Sequence, residues 1–176
     1  TRVRSSAASD VYKRQALSRG AAAVLLPAFT PQDLGQAVSM HEPTMLFLGP
    51  AHAAAMLGQG LFNERDFASV RFSVFSGASC PTHVLERYQS AIPTSTVAQL
   101  WGMTEIQAGS FTRASDPLSV AATSAGPPAR GNEVRIRSLD GDILSAGEEG
   151  ELEIRGASVF GGYLDNHEAN AAAFTR

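Results

Sequence analysis

The chain has 176 residues, 44% apolar and 18% charged, with a formal net charge of −3, enough for one domain of ordinary size with a substantial core. No apolar run approaches the ~18 residues of a membrane helix, so a helical membrane span is excluded. Arg2, Arg4, Lys13 and Arg14 against Asp10 give the first fifteen residues +3 and leave −6 on the rest, an acidic body that argues against a nucleic-acid partner.

The single cysteine, Cys80, has no internal partner, and His41, His52, His83 and His167 show no zinc-like spacing. No metal cage or oxidising compartment is implied, and the expected location is cytoplasmic. Lys13 is the only lysine, so a mechanism that needs a lysine ammonium must take it from other sequence. Residues 1–15 are basic and serine-rich, lack an apolar stretch of signal-peptide length, and change abruptly into an alanine-rich body near Gln15. They read as a non-native or disordered head.

Ala21–Leu26 (AAAVLL) predicts a strand, and Pro31–His41 a helix with Pro31 in its first turn behind a Thr30 cap and Leu34, Ala37 and Val38 on one face. Thr44–Leu48 repeats the apolar run, and Gly49-Pro50 opens an alanine-rich helix through Leu57 that ends at Gly58 and Gly60. Val70–Phe75 and Thr94–Leu100 predict two more strands. Between them a helix runs from Pro81 through Val84, Leu85 and Tyr88 to Ala91. Strands alternating with helices define an α/β fold, a mostly parallel sheet covered by helices.

Ser110–Gly131 reads as an irregular connection rich in Ser, Thr, Ala and Pro. Glu133–Arg137 and Glu151–Arg155 then alternate polar and apolar residues around a turn at Asp140-Gly141-Asp142, predicting two antiparallel strands. Asn166 caps a last helix, His167–Phe174. The expected organisation is an α/β unit over 16–125 and the start of a small antiparallel β subdomain over 126–176, in a chain cut at both ends.

Two strand-end segments carry candidate chemistry. Gln99-Leu100-Trp101-Gly102-Met103-Thr104-Glu105 follows a buried strand, and open α/β sheets bind ligands outside the carboxyl ends of their strands. Trp101 offers a flat π face, Gly102 allows close backbone approach, Thr104 supplies a hydroxyl and Glu105 a carboxylate for Mg²⁺. Because Mg²⁺ takes few protein carboxylates when phosphates fill its other positions, one Glu suffices if ATP is present. A Trp packed at a strand end with a solvated Thr-Glu cap fits the spacing equally well. Ser76-Gly77-Ala78-Ser79-Cys80-Pro81 offers small residues and free amides before the next helix, or simply a tight turn. It is no nucleophile elbow, because the Gly-x-Ser-x-Gly spacing is missing, and Cys80 reads as a packing residue.

In order, SGAS, QLWGMTE, AGPPARGNEVRI, GEEGELEIRG and GGYLDNHEANAAAF resemble the middle of an adenylate-forming, AMP-binding enzyme. The superfamily is that of the acyl-CoA synthetases, luciferases and peptide-synthetase adenylation domains. WGMTE with a GGYLDN-type ending is most similar to acyl-CoA ligases acting on fatty, cyclic or aromatic carboxylic acids. The resemblance covers residues ~16 to 176, and ordered multiple segments are far more specific than one motif.

The resemblance implies ATP-dependent activation of a carboxylic acid as acyl-adenylate, with transfer to CoA, by a protein of which this chain is a part inactive by itself. Amino-acid or aryl-acid adenylation and a non-catalytic binding module stand as alternatives. Gly77, Ala78 and Ser79 match the loop on one side of the adenine and Trp101, where relatives usually have Tyr, the aromatic on the other. Thr104 matches the phosphate contact and Glu105 the Mg²⁺ ligand. Gln99 belongs to the same nucleotide-binding segment, Leu100, Gly102 and Met103 match positions beside the acyl group, and Pro50 with His52 a loop bordering the acyl pocket. A helix-start histidine is the plainer reading of His52. The family's phosphate loop and lysine are expected upstream, and its ribose-binding segment and second lysine downstream. The resemblance also carries a geometric expectation: the loops at 76–79 and 100–105 emerge on one sheet edge, with a purine-wide slot between them and Trp101 facing it, partly exposed.

Overall fold

The computed structural model describes residues 16–63 and 66–175; the head expected over 1–15 lies outside them. Local chemistry starts the helices. In α1 (Pro31–His41) the Thr30 hydroxyl accepts the Asp33 N–H at 3.0 Å, with Pro31 in the first turn. In α2 (Pro50–Gly58) His52 Nδ1 accepts the Gly49 N–H at 3.2 Å. α3 (Thr82–Ala91) follows Pro81, α4 (Leu118–Thr123) follows Pro117, and α5 (His167–Ala173) is capped by Asn166, whose Oδ1 accepts the Ala169 N–H at 3.0 Å.

One sheet has the order β1 (Met45–Leu48), β2 (Phe72–Phe75), β3 (Thr96–Met103), β4 (Gln107–Phe111). Pairing is parallel from β1 to β3 and antiparallel between β3 and β4. The register aligns Leu46 with Ser73 and Val97, and Leu48 with Phe75 and Gln99, so alternation sends these side chains to one face. On that face Leu46, Leu48, Phe75 and Val97 join Val38 of α1, Met56 of α2 and Leu85 and Tyr88 of α3 in the core. Tyr88 is central: its ring meets Phe62 and Phe75 edge-on, and its hydroxyl lies 2.6 Å from Ser73 Oγ, itself 2.8 Å from Ser95 Oγ. Burial pushes the Tyr88 phenol up to about 12 and the Cys80 thiol to about 11, which leaves Cys80 a packing residue and no thiolate nucleophile.

A second sheet pairs β5 (Asn132–Arg137) antiparallel with β6 (Glu151–Gly156). Directly opposed charges set its register: Glu133 faces Arg155 with a 2.6 Å ion pair, and Arg135 faces and pairs with Glu153, which Arg137 also reaches at 2.9 Å. Two further devices join the sheets. Pro128 bridges Ser110 of β4, and the Asn132 side chain donates to Ala108 O at 3.0 Å.

Three sequence expectations are corrected. Ala21–Leu26 belongs to no helix or sheet, and only Leu26 is partly buried, because an apolar run becomes a strand only with a hydrogen-bonding neighbour. The supposed loop after Leu100 is strand: β3 continues through Met103 and turns back into β4. The irregular stretch from Ser110 holds the end of β4 and all of α4.

Candidate active-site edge

The parallel pairing of Phe75 with Gln99 brings the segments that follow, 76–79 and 100–105, out of neighbouring strands at the same carboxyl edge. Gly77, Ala78 and Ser79 are exposed there. Gly77 has φ +91°, a conformation that L side chains avoid, and the space where a Cβ would point is open to beyond 4 Å.

Across from it, a close-packed hairpin carries the other residues. A Cβ on Gly102 would lie 2.0 Å from Gln107 O, so only glycine admits the β4 backbone at the irregularity between Trp101 and Gly102. Gln107 itself takes φ +62° and its amide donates to Thr104 O at 3.1 Å, closing the turn. Trp101 is half-buried, its ring lying over Gly109, where a Cβ would come within 2.3 Å of Cζ3. Leu100 is half-buried opposite Phe111, while Gly102 and Met103 are exposed. Gln99 serves β3 itself: its side-chain amide donates to Ala121 O of α4 at 2.6 Å, and its N–H to Thr112 Oγ1 at 2.9 Å.

Thr104 and Glu105 form the tip. Thr104 is exposed and its hydroxyl makes no hydrogen bond within the described residues. Glu105 is half-buried and doubly held: its carbonyl accepts the Phe160 N–H at 2.8 Å and its Oε1 accepts the Tyr163 hydroxyl at 2.9 Å. Oε2 has no partner among the described residues. That bond to a carboxylate keeps the Tyr163 phenol above its ordinary range. Tyr163 and Phe160 carry no role in the sequence reading; the only signal is the place of Tyr163 in the GGYLDN segment, which Phe160 directly precedes. His52, by contrast, caps α2 and stacks on Phe29 at 4.2 Å, which accounts for it structurally.

The AMP-binding enzyme family profile matches residues 15–164. The chain belongs to that family. It is 32% identical over 158 residues to a methyl-dioxo-octahydro-indenyl propanoyl:CoA ligase of Mycobacterium tuberculosis, covering 89% of this chain and 29% of that protein. It is 31% identical over 160 residues to an L-proline:(L-prolyl-carrier protein) ligase of Pseudomonas fluorescens, covering 88% and 32%. Among solved structures, a benzoate CoA ligase from Burkholderia xenovorans superposes with a TM-score of 0.82 at 28% identity, over 89% of this chain and 32% of that one. The chain therefore spans about a third or less of the length of the curated relatives it matches. The superposition extends over 89% of this chain, so the α/β class with a following antiparallel β unit is shared with that structure.

The described residues contain no group of three or more His, Cys, Asp and Glu that would cage a metal, and no helix long and apolar enough to cross a membrane. One carboxylate oxygen without a partner, beside a free hydroxyl at the same tip, fits a cation that arrives with its own phosphate oxygens.

Proposed function

We propose that this chain forms one wall of the nucleotide site of an ATP-dependent acid–thiol ligase that makes an acyl-adenylate and passes the acyl group to CoA. The observation that carries the reading is the Phe75–Gln99 register, which supports a site between 76–79 and 100–105; family membership supplies the reaction class. Gly77, Ala78 and Ser79 would border one side of the purine and Trp101 the other. Gly102 keeps the backbone close, and Leu100 and Met103 would meet the acyl group. Gln99 supports this wall through α4.

The Thr104 hydroxyl would donate to a phosphate oxygen as negative charge develops on it. Glu105 would hold Mg²⁺, which supplies charge neutralisation on the phosphates when bound. Positioning carries most of the work, because a carboxylate attacking the α-phosphate and a departing pyrophosphate must lie in line. A cytoplasmic setting and an α/β unit ending near residue 125 belong to the same reading, although residues 125–132 are stitched to β4.

The prolyl-carrier relative favours a second acceptor, the thiol of a carrier protein. Pyrophosphate exchange by the full-length protein against a panel of carboxylic acids, followed by CoA or carrier as acceptor, distinguishes the two. In that assay Glu105→Gln should lower turnover at limiting Mg²⁺ by about ten- to a hundredfold while the far-UV spectrum stays unchanged. Unchanged turnover with unchanged Mg²⁺ dependence overturns the role of Glu105.

A further inference from the structure

The chain that follows β6 returns across the sheet-to-sheet seam to grip Glu105. Phe160 N–H takes its carbonyl and Tyr163 Oη takes Oε1, the latter 58 residues away in sequence. Neither contact belongs to a regular ladder. Together they fix the backbone and one oxygen of a residue at an otherwise exposed hairpin tip.

Tyr163 is itself placed with care. Its N–H donates to Asn170 Oδ1 at 2.7 Å, and Asn170 Nδ2 donates back to its carbonyl at 2.9 Å. Its ring meets Phe160 at 4.8 Å and 74°, and Phe160 in turn packs on Phe174. Gly162 before it has φ +128°, and a Cβ there would come within 3.0 Å of Asn170 Oδ1. Backbone conformation, a reciprocal amide clamp and ring packing thus aim one hydroxyl at one carboxylate oxygen. An exposed hydrogen bond of this kind adds little to stability, so fixed direction is its main physical effect.

We propose that Tyr163 is a positioning residue for Glu105, its hydroxyl occupying Oε1 so that Oε2 is the oxygen presented to a nucleotide-bound divalent cation. This rests on the reading of Glu105 given above. A carboxylate free to turn about its last torsion loses part of its ligand preference, and partners behind a ligand commonly change metal affinity or activity by about 10–100-fold. The β5–β6 side of the chain would then set the aim of a side chain carried by β3.

Two measurements test it. The first titrates tyrosinate absorbance of this chain and of its Tyr163→Phe and Glu105→Gln variants. Tyr163 is one of three tyrosines, and the difference from Tyr163→Phe isolates it; should that variant fail to fold, the difference between parent and Glu105→Gln reads the same phenol. Tyr163 should titrate above the ordinary ~10 in the parent and fall back toward it in Glu105→Gln. An unchanged titration overturns the pairing.

The second follows pyrophosphate exchange by the full-length protein as Mg²⁺ is varied at fixed ATP. Tyr163→Phe should raise the Mg²⁺ concentration for half-maximal rate about tenfold and leave the rate at saturating Mg²⁺ nearly unchanged. If Glu105→Gln shifts the Mg²⁺ dependence and Tyr163→Phe does not, positioning is overturned and the role of Glu105 stands. If neither does, both are overturned, whatever the titration gives.

Discussion

Phe75, Leu85 and Tyr88 of the parallel-sheet region are fully buried, whereas no residue of β5 or β6 is. The first region is ordered by apolar packing on one face of its sheet; the second by opposed charges along a two-stranded ladder whose sides remain wet. The two therefore respond to different perturbations. Packing tolerates pH and salt but not lost volume, while exposed ion pairs tolerate lost volume and respond to pH and salt. The candidate site lies where they meet, with Glu105 carried by the packed region and held by Tyr163 from the wet side.

The sharpest separation comes from truncating the core. Phe75 is fully buried, meets Tyr88 edge-on at 5.1 Å and is the residue paired with Gln99. Phe75→Ala should lower stability by about 3–5 kcal/mol in urea unfolding. The ion pairs of β5–β6 should persist in NMR spectra under conditions where the variant is still folded. A loss below about 1 kcal/mol would show that the site edge does not depend on this packing.

A smaller effect is expected where the hairpin is tight instead of the core. Gly109→Ala places a methyl within 2.3 Å of Trp101 Cζ3 and 2.9 Å of Ile106 Cδ1, so the ring must move at a cost of about 1–3 kcal/mol. Trp101 is the only tryptophan, and its emission reports the move directly: a red shift as the indole leaves the β4 backbone for water. An unchanged spectrum means the ring does not rest on Gly109.

Capping chemistry explains how much of this was legible. Thr30 before α1, Gly49-Pro50 before α2 and Asn166 before α5 act within one turn of chain, so their signals lie within a few residues. The charges in EVRIR and ELEIR likewise announce their own register. β4 does not: QAGSF has no alternating apolar pattern, and it pairs with β3 because Gly102 and Gly109 let backbone and ring close in. Ala21–Leu26 shows the converse, an apolar run left outside every sheet. The Glu105–Tyr163 bond is least legible of all, since a contact across 58 residues leaves no local mark on either partner. Of the two candidate segments, the shared sheet edge was legible in the strand pattern, while the form of the second was not, since β3 runs on to Met103.

The smallest expected effect tests the wet region alone. Glu153 is held below the ordinary carboxylate range, first by the hydrogen bond from Arg135 and further by the nearby charges of Arg135 and Arg137. A lowered folded-state value means that Glu153 favours the folded hairpin above its unfolded value near 4.5 and that this support disappears as pH falls below the folded value. Acidification from pH 5 to about 3 should therefore loosen β5–β6, read as faster amide exchange at Arg135 and Glu153 after correction for the intrinsic pH dependence, while Phe75 and Leu85 in the packed region stay protected. Glu153→Gln should remove this acid step and leave the hairpin slightly looser at pH 7, with the difference shrinking in 1 M salt because the Arg135 side of the pair is open to water. An acid step that survives in Glu153→Gln would assign the pH sensitivity to another carboxylate and leave the opposed charges of β5–β6 as partners in register only.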